Sequence, residues 1–193
     1  MIPRVLHHVW LGPHRIPSEF LEWRETWFRL HPGWRYRLWT DADVPATVLP
    51  LVKATRTLAS AANVLRIHAI LTEGGVYADL DFEWNQPIDP LLDARAFVGR
   101  SKKGPIYNGA FGAVANHPIL RWQWERMPEF APLKPPWGPR LMGLAIDALP
   151  DGVVVHPPRV FYPLDWDEEP LPVSAFPDSV AVHRAAMSWK KPS

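Results

Sequence analysis

The spacing of apolar positions changes several times along the chain, and each change marks an element. Residues 5–11 follow Pro3 and alternate loosely among Val5, Leu6, Val9 and Leu11, which predicts a first strand. Pro17, Ser18 and Glu19 then open a helix. Phe20, Trp23, Trp27 and Leu30 recur in it at helical spacing, and His31, Pro32 and Gly33 end it. Residues 34–39 alternate apolar and basic side chains, a second strand closed by Thr40 to Asp43. A longer helix is predicted over 58–72, with Ala59, Ala62, Leu65, Ala69 and Ile70 as its buried stripe and Gly74 as its C-terminal stop. Residues 76–78 form the next strand. Strands follow at 96–99 and 110–114, helices at 118–127 and 141–149, and short strands at 153–155 and 180–182.

Strands alternating with helices imply an α/β fold with a mostly parallel central sheet flanked by helices. Ligands in such sheets sit outside the carboxyl ends of the strands. At 193 residues the chain is expected to form a single domain over 1–193, by the prior of about 100–200 residues per domain. No internal repeat or interdomain linker interrupts it.

Composition excludes more than it selects. A net charge of +1 gives no case for nucleic acid or anionic membrane as partner. The chain has no cysteine, so disulfides, thiolate metal sites and cysteine nucleophiles are ruled out. No apolar run approaches the ~18–20 residues of a membrane span, and Met1 to Arg4 do not begin a secretory signal, so a cytoplasmic protein is expected. The 23 prolines cut the second half into short elements, and 11 tryptophans exceed ordinary usage. Their flat faces suit sugars or bases as well as a core.

The densest chemistry lies at Asp79 and Asp81, just past the strand 76–78. On extended backbone, residues i and i+2 point to one side, so both carboxylates would face one pocket and repel each other without a cation between them. A hard divalent ion, Mn2+ or Mg2+, suits carboxylate, water and phosphate oxygens together. Asn63 and Arg66 are three apart and share a helix face. Arg66 offers a rigid fork of donors to sugar hydroxyls or phosphate. His7, His8, His68 and His156 have no constellation around them and are expected to be structural.

These pieces, in this order, resemble a known family. Asn63-Val64-Leu65-Arg66, then Leu71, then Gly74 through Asp81, look like the signature of DXD-containing glycosyltransferases of the family-32 type. That group is related to yeast α-mannosyltransferases, capsular polysaccharide transferases and, distantly, clostridial glucosylating toxins. Ile2 to Gly12 is similar to the family's opening strand and Trp34 to Asp41 to its second. Asn108 to Gly112 with His117-Pro118, Gly138-Pro139, Phe161 to Pro163, and His183 with Ser188-Trp189 complete the set.

The resemblance implies a GT-A fold and a metal-dependent hexosyltransferase. The donor would be a UDP- or GDP-linked sugar, the acceptor a hydroxyl of a saccharide or another molecule, and the anomeric configuration would be retained. It assigns the metal to Asp79, Asp81 and His183, with Asp81 bound directly and Asp79 against ribose or metal-bound water. Trp10 corresponds to the base-stacking aromatic. Asn63, Arg66, Tyr77, Asp79, Asn108, Ser188 and Trp189 would bind the donor, and Arg66 would act beside the two aspartates in catalysis. The chain departs from the pattern in having Asn63 for Asp, Ala62 for Ser and Trp137 for Thr.

Two other classes stay open at this stage. A sugar-binding module without turnover would release no nucleotide from a sugar nucleotide. A metal-dependent phosphohydrolase would cleave simple phosphate esters, but such enzymes place more ligands around two metals, and Glu83, Asp89 and Asp93 form no second cluster. No carboxylate is obviously placed as a nucleophile for double displacement, which makes a front-face route the simpler expectation.

Overall fold

A computed structural model of the chain describes residues 1–186. A six-stranded sheet runs in the order β2 (Arg35–Trp39), β1 (Val5–Val9), β3 (Gly75–Ala78), β6 (Ile106–Ala113), β5 (Ala96–Arg100), β7 (Val154–His156). β1 pairs in parallel with β2 and β3, and β5 with β7. Only β6 runs against its neighbours, so the sheet is mostly parallel, as expected. A second, two-stranded antiparallel sheet joins β4 (Phe82–Trp84) to β8 (Ala181–His183).

Period-2 alternation along the strands divides the interior into two cores. Val76 and Ala78 of β3 face one, with Leu6, Phe82, Trp84, Phe161 and Tyr162. Tyr77 faces the other, with Val64, Leu65, Phe111, Trp137 and Leu141. The first core lies under α1 (Ser18–Leu30), α6 (Pro158–Phe161) and the small sheet. The second lies under α3 (Leu58–Glu73), α4 (Pro118–Phe130) and α5 (Trp137–Ala148). Much of the tryptophan excess is structural: Trp27, Trp39, Trp84 and Trp137 are buried.

Helix α3 departs from its expected single stripe. Ser60, Ala61, Val64, Ile67 and Leu71 are buried along with Leu65, Ala69 and Ile70, whereas Ala59 and Ala62 are partly exposed. The helix is wedged between the sheet and α2 (Leu49–Ala54), α4 and α5, so apolar residues surround most of it. Thr57 caps its start, with Oγ1 accepting the Ser60 amide at 3.1 Å.

Its end sets the position of everything after it. Gly74 has φ 66° and Gly75 φ 107°, a conformation that suits residues without a Cβ. A Cβ on Gly75 would lie 2.5 Å from Val5 Cγ1 and 2.6 Å from the Val5 carbonyl oxygen. The Gly-Gly pair thus turns the chain within a single step and lays β3 flat against β1, which aims residue 79 at the carboxyl edge. No helix among the described residues is long and apolar enough to cross a membrane.

Candidate active site

A cleft of about 1040 Å3 opens at the carboxyl ends of β1 and β3. Its walls include Trp10 and Leu11, the Leu58, Ala59, Ala62 and Arg66 face of α3, Asn108 and Gly109 of β6, Pro139 and Arg140 of α5, Tyr162, Leu164 and Trp166, and His183. Asp79 and Asp81 sit on its floor. The reason they meet differs from the expected one. Residues 79–81 form a turn between β3 and β4, with the Phe82 amide donating to the Asp79 carbonyl at 3.3 Å, rather than an extended segment. The carboxylates are gathered by the turn and by His183 at the end of β8. One ligand atom from each of Asp79, Asp81 and His183 lies within 4.8 Å of the others.

The two acids have different surroundings. Asp79 is held from the sheet side. Tyr77 Oη donates to its Oδ1 at 2.6 Å, Arg66 Nη2 lies 2.9 Å from Oδ1, and the Asp79 amide donates to the Gly109 carbonyl at 2.7 Å. Burial lifts its carboxyl above the ordinary range, with Arg66 opposing and Asp81 adding to the rise. Burial pushes Asp81 upward too, but His183 outweighs it by charge and hydrogen bond, and that carboxyl lies below its ordinary value. His183 Nε2 is 3.2 Å from Asp81 Oδ1, and the Ala186 amide donates to Oδ2 at 3.0 Å. Burial would lower the His183 imidazole, but Asp81 raises it further than burial lowers it. The His183 ring thus lies against Asp81 at the corner that a cation would occupy. Two carboxylates and one imidazole are donors that Mn2+ or Mg2+ accept, so the residues fit such an ion.

Arg66 is locked into this corner. Nη1 donates to the Asn108 carbonyl at 2.7 Å, and the guanidinium lies 4.5 Å from the Tyr77 ring centroid. Asn63 does not line the cleft. It sits one layer behind, where its Oδ1 accepts from Asn108 Nδ2 at 2.9 Å and where Gly138 leaves just enough room for it. Trp10 does line the cleft, with its edge against Phe20 and its indole N–H given to the His14 carbonyl at 2.7 Å. Ser188 and Trp189 lie outside the described residues.

Gly109, Tyr162 and Phe82 complete the site, and of these only Phe82 lies outside the segments that resemble the family. Gly109 approaches so closely that a Cβ would lie 3.0 Å from Asp79 Oδ2, and Tyr162 Oη accepts the Ala110 amide beside it at 2.9 Å. Phe82 stacks on the His183 ring at 4.7 Å and orients it. Of the four histidines expected to be structural, His7 is the most clearly so. Its Nε2–H donates to the Gly74 carbonyl, and its Nδ1 accepts from the Trp39 indole, both at 3.0 Å.

Comparison with known proteins meets this geometry at its centre. Residues 17–98 match the family described as glycosyltransferase sugar-binding region containing DXD motif. Residues 17–98 belong to that DXD glycosyltransferase family. The DXD region carries Asn63, Arg66, Tyr77, Asp79 and Asp81, while Asn108 and His183 come from chain beyond it. The chain is 30% identical over 137 residues to inositol phosphoceramide mannosyltransferase 3 of Schizosaccharomyces pombe, covering 67% of this chain and 38% of the yeast protein. It thus spans well under half the length of that relative.

Among solved structures, the PaToxG glycosyltransferase superposes with a TM-score of 0.61 at 15% identity, over 77% of this chain and 70% of that one. A glycosyltransferase involved in glycosylation of the major capsid of PBCV-1 superposes with a TM-score of 0.58 at 15% identity, over 96% and 95% of the two chains. The fold around the DXD region is the GT-A glycosyltransferase fold.

Proposed function

We propose that this protein is a divalent-metal-dependent, retaining hexosyltransferase that takes its sugar from a nucleoside diphosphate sugar and delivers it to a hydroxyl acceptor. The observation that carries the reading is the convergence of Asp79, Asp81 and His183 within 4.8 Å of one another on the floor of the cleft. The name of the yeast relative favours mannose as the sugar, with either UDP or GDP as the carrier.

A divalent ion held by Asp79, Asp81 and His183 would neutralise the diphosphate as it leaves. The chain's own residues supply the rest. Arg66, fixed by Asp79 and the Asn108 carbonyl, sets a permanent positive charge at the sugar end of the site. Trp10 offers a face to the base, where stacking is worth ~1–3 kcal/mol and tolerates any base. Asp79 and Asp81 are the only carboxylates on the cleft wall among the described residues, and both belong to the cation corner. This favours a front-face route over a covalent sugar–enzyme intermediate. In that route the glycosidic bond electrons leave with the diphosphate, the acceptor oxygen bonds the anomeric carbon from the same face, and the acceptor proton passes to a departing phosphate oxygen.

The test is donor turnover. GDP-mannose, UDP-glucose and UDP-galactose, each incubated with the protein and Mn2+, are expected to include one that releases free nucleoside diphosphate slowly without acceptor, and without detectable turnover when Mn2+ is chelated. Absence of release from every donor would contradict the proposal.

A further inference from the structure

One large aromatic on the cleft wall is not used by the donor site as described. Trp166 is 57% exposed, yet its segment is anchored. Lys102 Nζ lies 2.6 Å from Glu168 Oε1, and Lys103 Nζ lies 2.7 Å from Asp167 Oδ1. The same Lys103 ammonium sits 5.4 Å from the Trp166 ring centroid. An indole left in water on a fastened loop invites the question of what covers it.

Its neighbours indicate the chemistry. Trp166 lines the main cleft and also a side pocket of about 140 Å3 next to His183. Asp165 lines that side pocket with a side chain only 5% exposed. Its Oδ1 is buried with no hydrogen-bond partner among the described residues, a costly state that a ligand hydroxyl would relieve. An acyl chain gains nothing from such a carboxylate and would strip water from the half-exposed Lys103 ammonium. A pyranose has both required parts, an apolar C–H face for the indole and hydroxyls for the carboxylate.

We propose that Trp166 is the stacking platform of the acceptor subsite, that the acceptor is a saccharide, and that Asp165 Oδ1 accepts one of its hydroxyls. This rests on the transferase reading above and extends it to the acceptor, beside the His183 corner where transfer would occur.

The probes are octyl α-mannoside, octyl β-glucoside and octyl β-galactoside, read by saturation-transfer NMR against the full chain with Mn2+. At least one is expected to show saturation of its sugar-ring protons. Trp166→Ala is expected to weaken that binding by about tenfold or more, one tenfold step being about 1.4 kcal/mol. Trp166→Phe, which keeps a flat ring, is expected to recover part of it. The exposed position lets both variants fold. Three outcomes would overturn the proposal: no ring saturation with any probe, saturation confined to the octyl chain, or equal binding by Trp166→Ala. GDP and UDP titrations on the same samples report the donor reading separately, so loss of nucleotide binding would indict that reading and not the platform.

Discussion

Arg66 is the side chain on which the electrostatics of the cleft turn. Its side chain is 8% exposed, its partner Asp79 is 29% exposed, and the two meet at 2.9 Å. Arg66→Ala would leave Asp79 with only the Tyr77 hydroxyl and the cleft for company, and would orphan the Asn108 carbonyl. Breaking one side of a buried pair costs about 3–5 kcal/mol. In a chain of this size each kcal/mol lowers Tm by about 2–4 °C, so a fall of roughly 6–20 °C is expected, measured without metal or nucleotide. Arg66→Lys, which restores charge but not the fork reaching both Asp79 and the Asn108 carbonyl, is expected to recover part of the loss. Combining Arg66→Ala with Asp79→Asn removes the unpaired charge, and the double variant should lie above the sum of the singles by about 1–3 kcal/mol. An Arg66→Ala Tm within about 2 °C of wild type, with no recovery in the double variant, would show that the pair is not a buried one and that the corner is misdescribed.

Three further outcomes follow from the geometry. His183→Ala is expected to weaken Mn2+-dependent nucleotide binding by about tenfold or more while leaving the circular dichroism spectrum unchanged, since His183 lines the cleft with a side chain 21% exposed; calorimetry of Mn2+ titrations checks this. Burial holds His7 and His8 neutral, each lowered from 6.5 to about 4. Their folded values lie below their unfolded ones, so their contribution is complete above pH 6.5 and is lost as pH falls towards 4, by up to about 3 kcal/mol for each ring, visible in urea midpoints against pH. Gly138→Ala would put a Cβ 2.3 Å from Asn63 Oδ1. It is expected to cost about 1–3 kcal/mol and to shift Asn108, read as a lower Tm with reduced donor turnover.

Much of the fold was legible because local signals agreed with tertiary context. Thr57 and Gly74 bound α3 within a residue of the expected limits, and Gly75 to Ala78 fell where the apolar run placed a strand. Elements defined by distant partners were not legible. β4 is three residues long and owes its existence to β8, paired from Phe82 to His183 across the chain. α2 carries Pro50 in its first turn and gave no periodic stretch, and α5 begins four residues before the expected start because Pro139 falls early in the helix, where its missing amide is tolerated. The first strand stops at Val9, where the backbone leaves β2 and places Trp10 on the cleft rim. At the site, Asp79, Asp81, Arg66 and His183 came together as their types and order implied. Two things depended on packing alone: the turn that replaces the extended Asp-x-Asp, and Asn63's retreat behind Asn108.

The most direct test of the proposed metal-dependent donor site is calorimetric titration of GDP and UDP into the protein, with and without Mn2+, for wild type and Asp81→Ala. Asp81 is the acid whose carboxyl lies below its ordinary range, with His183 on one oxygen and the Ala186 amide on the other. One nucleotide is expected to bind wild type at least about tenfold more tightly with Mn2+ than without, and Asp81→Ala is expected to lose that difference. Mn2+-enhanced binding that survives intact in Asp81→Ala, or no binding of either nucleotide to wild type with Mn2+, would contradict the account.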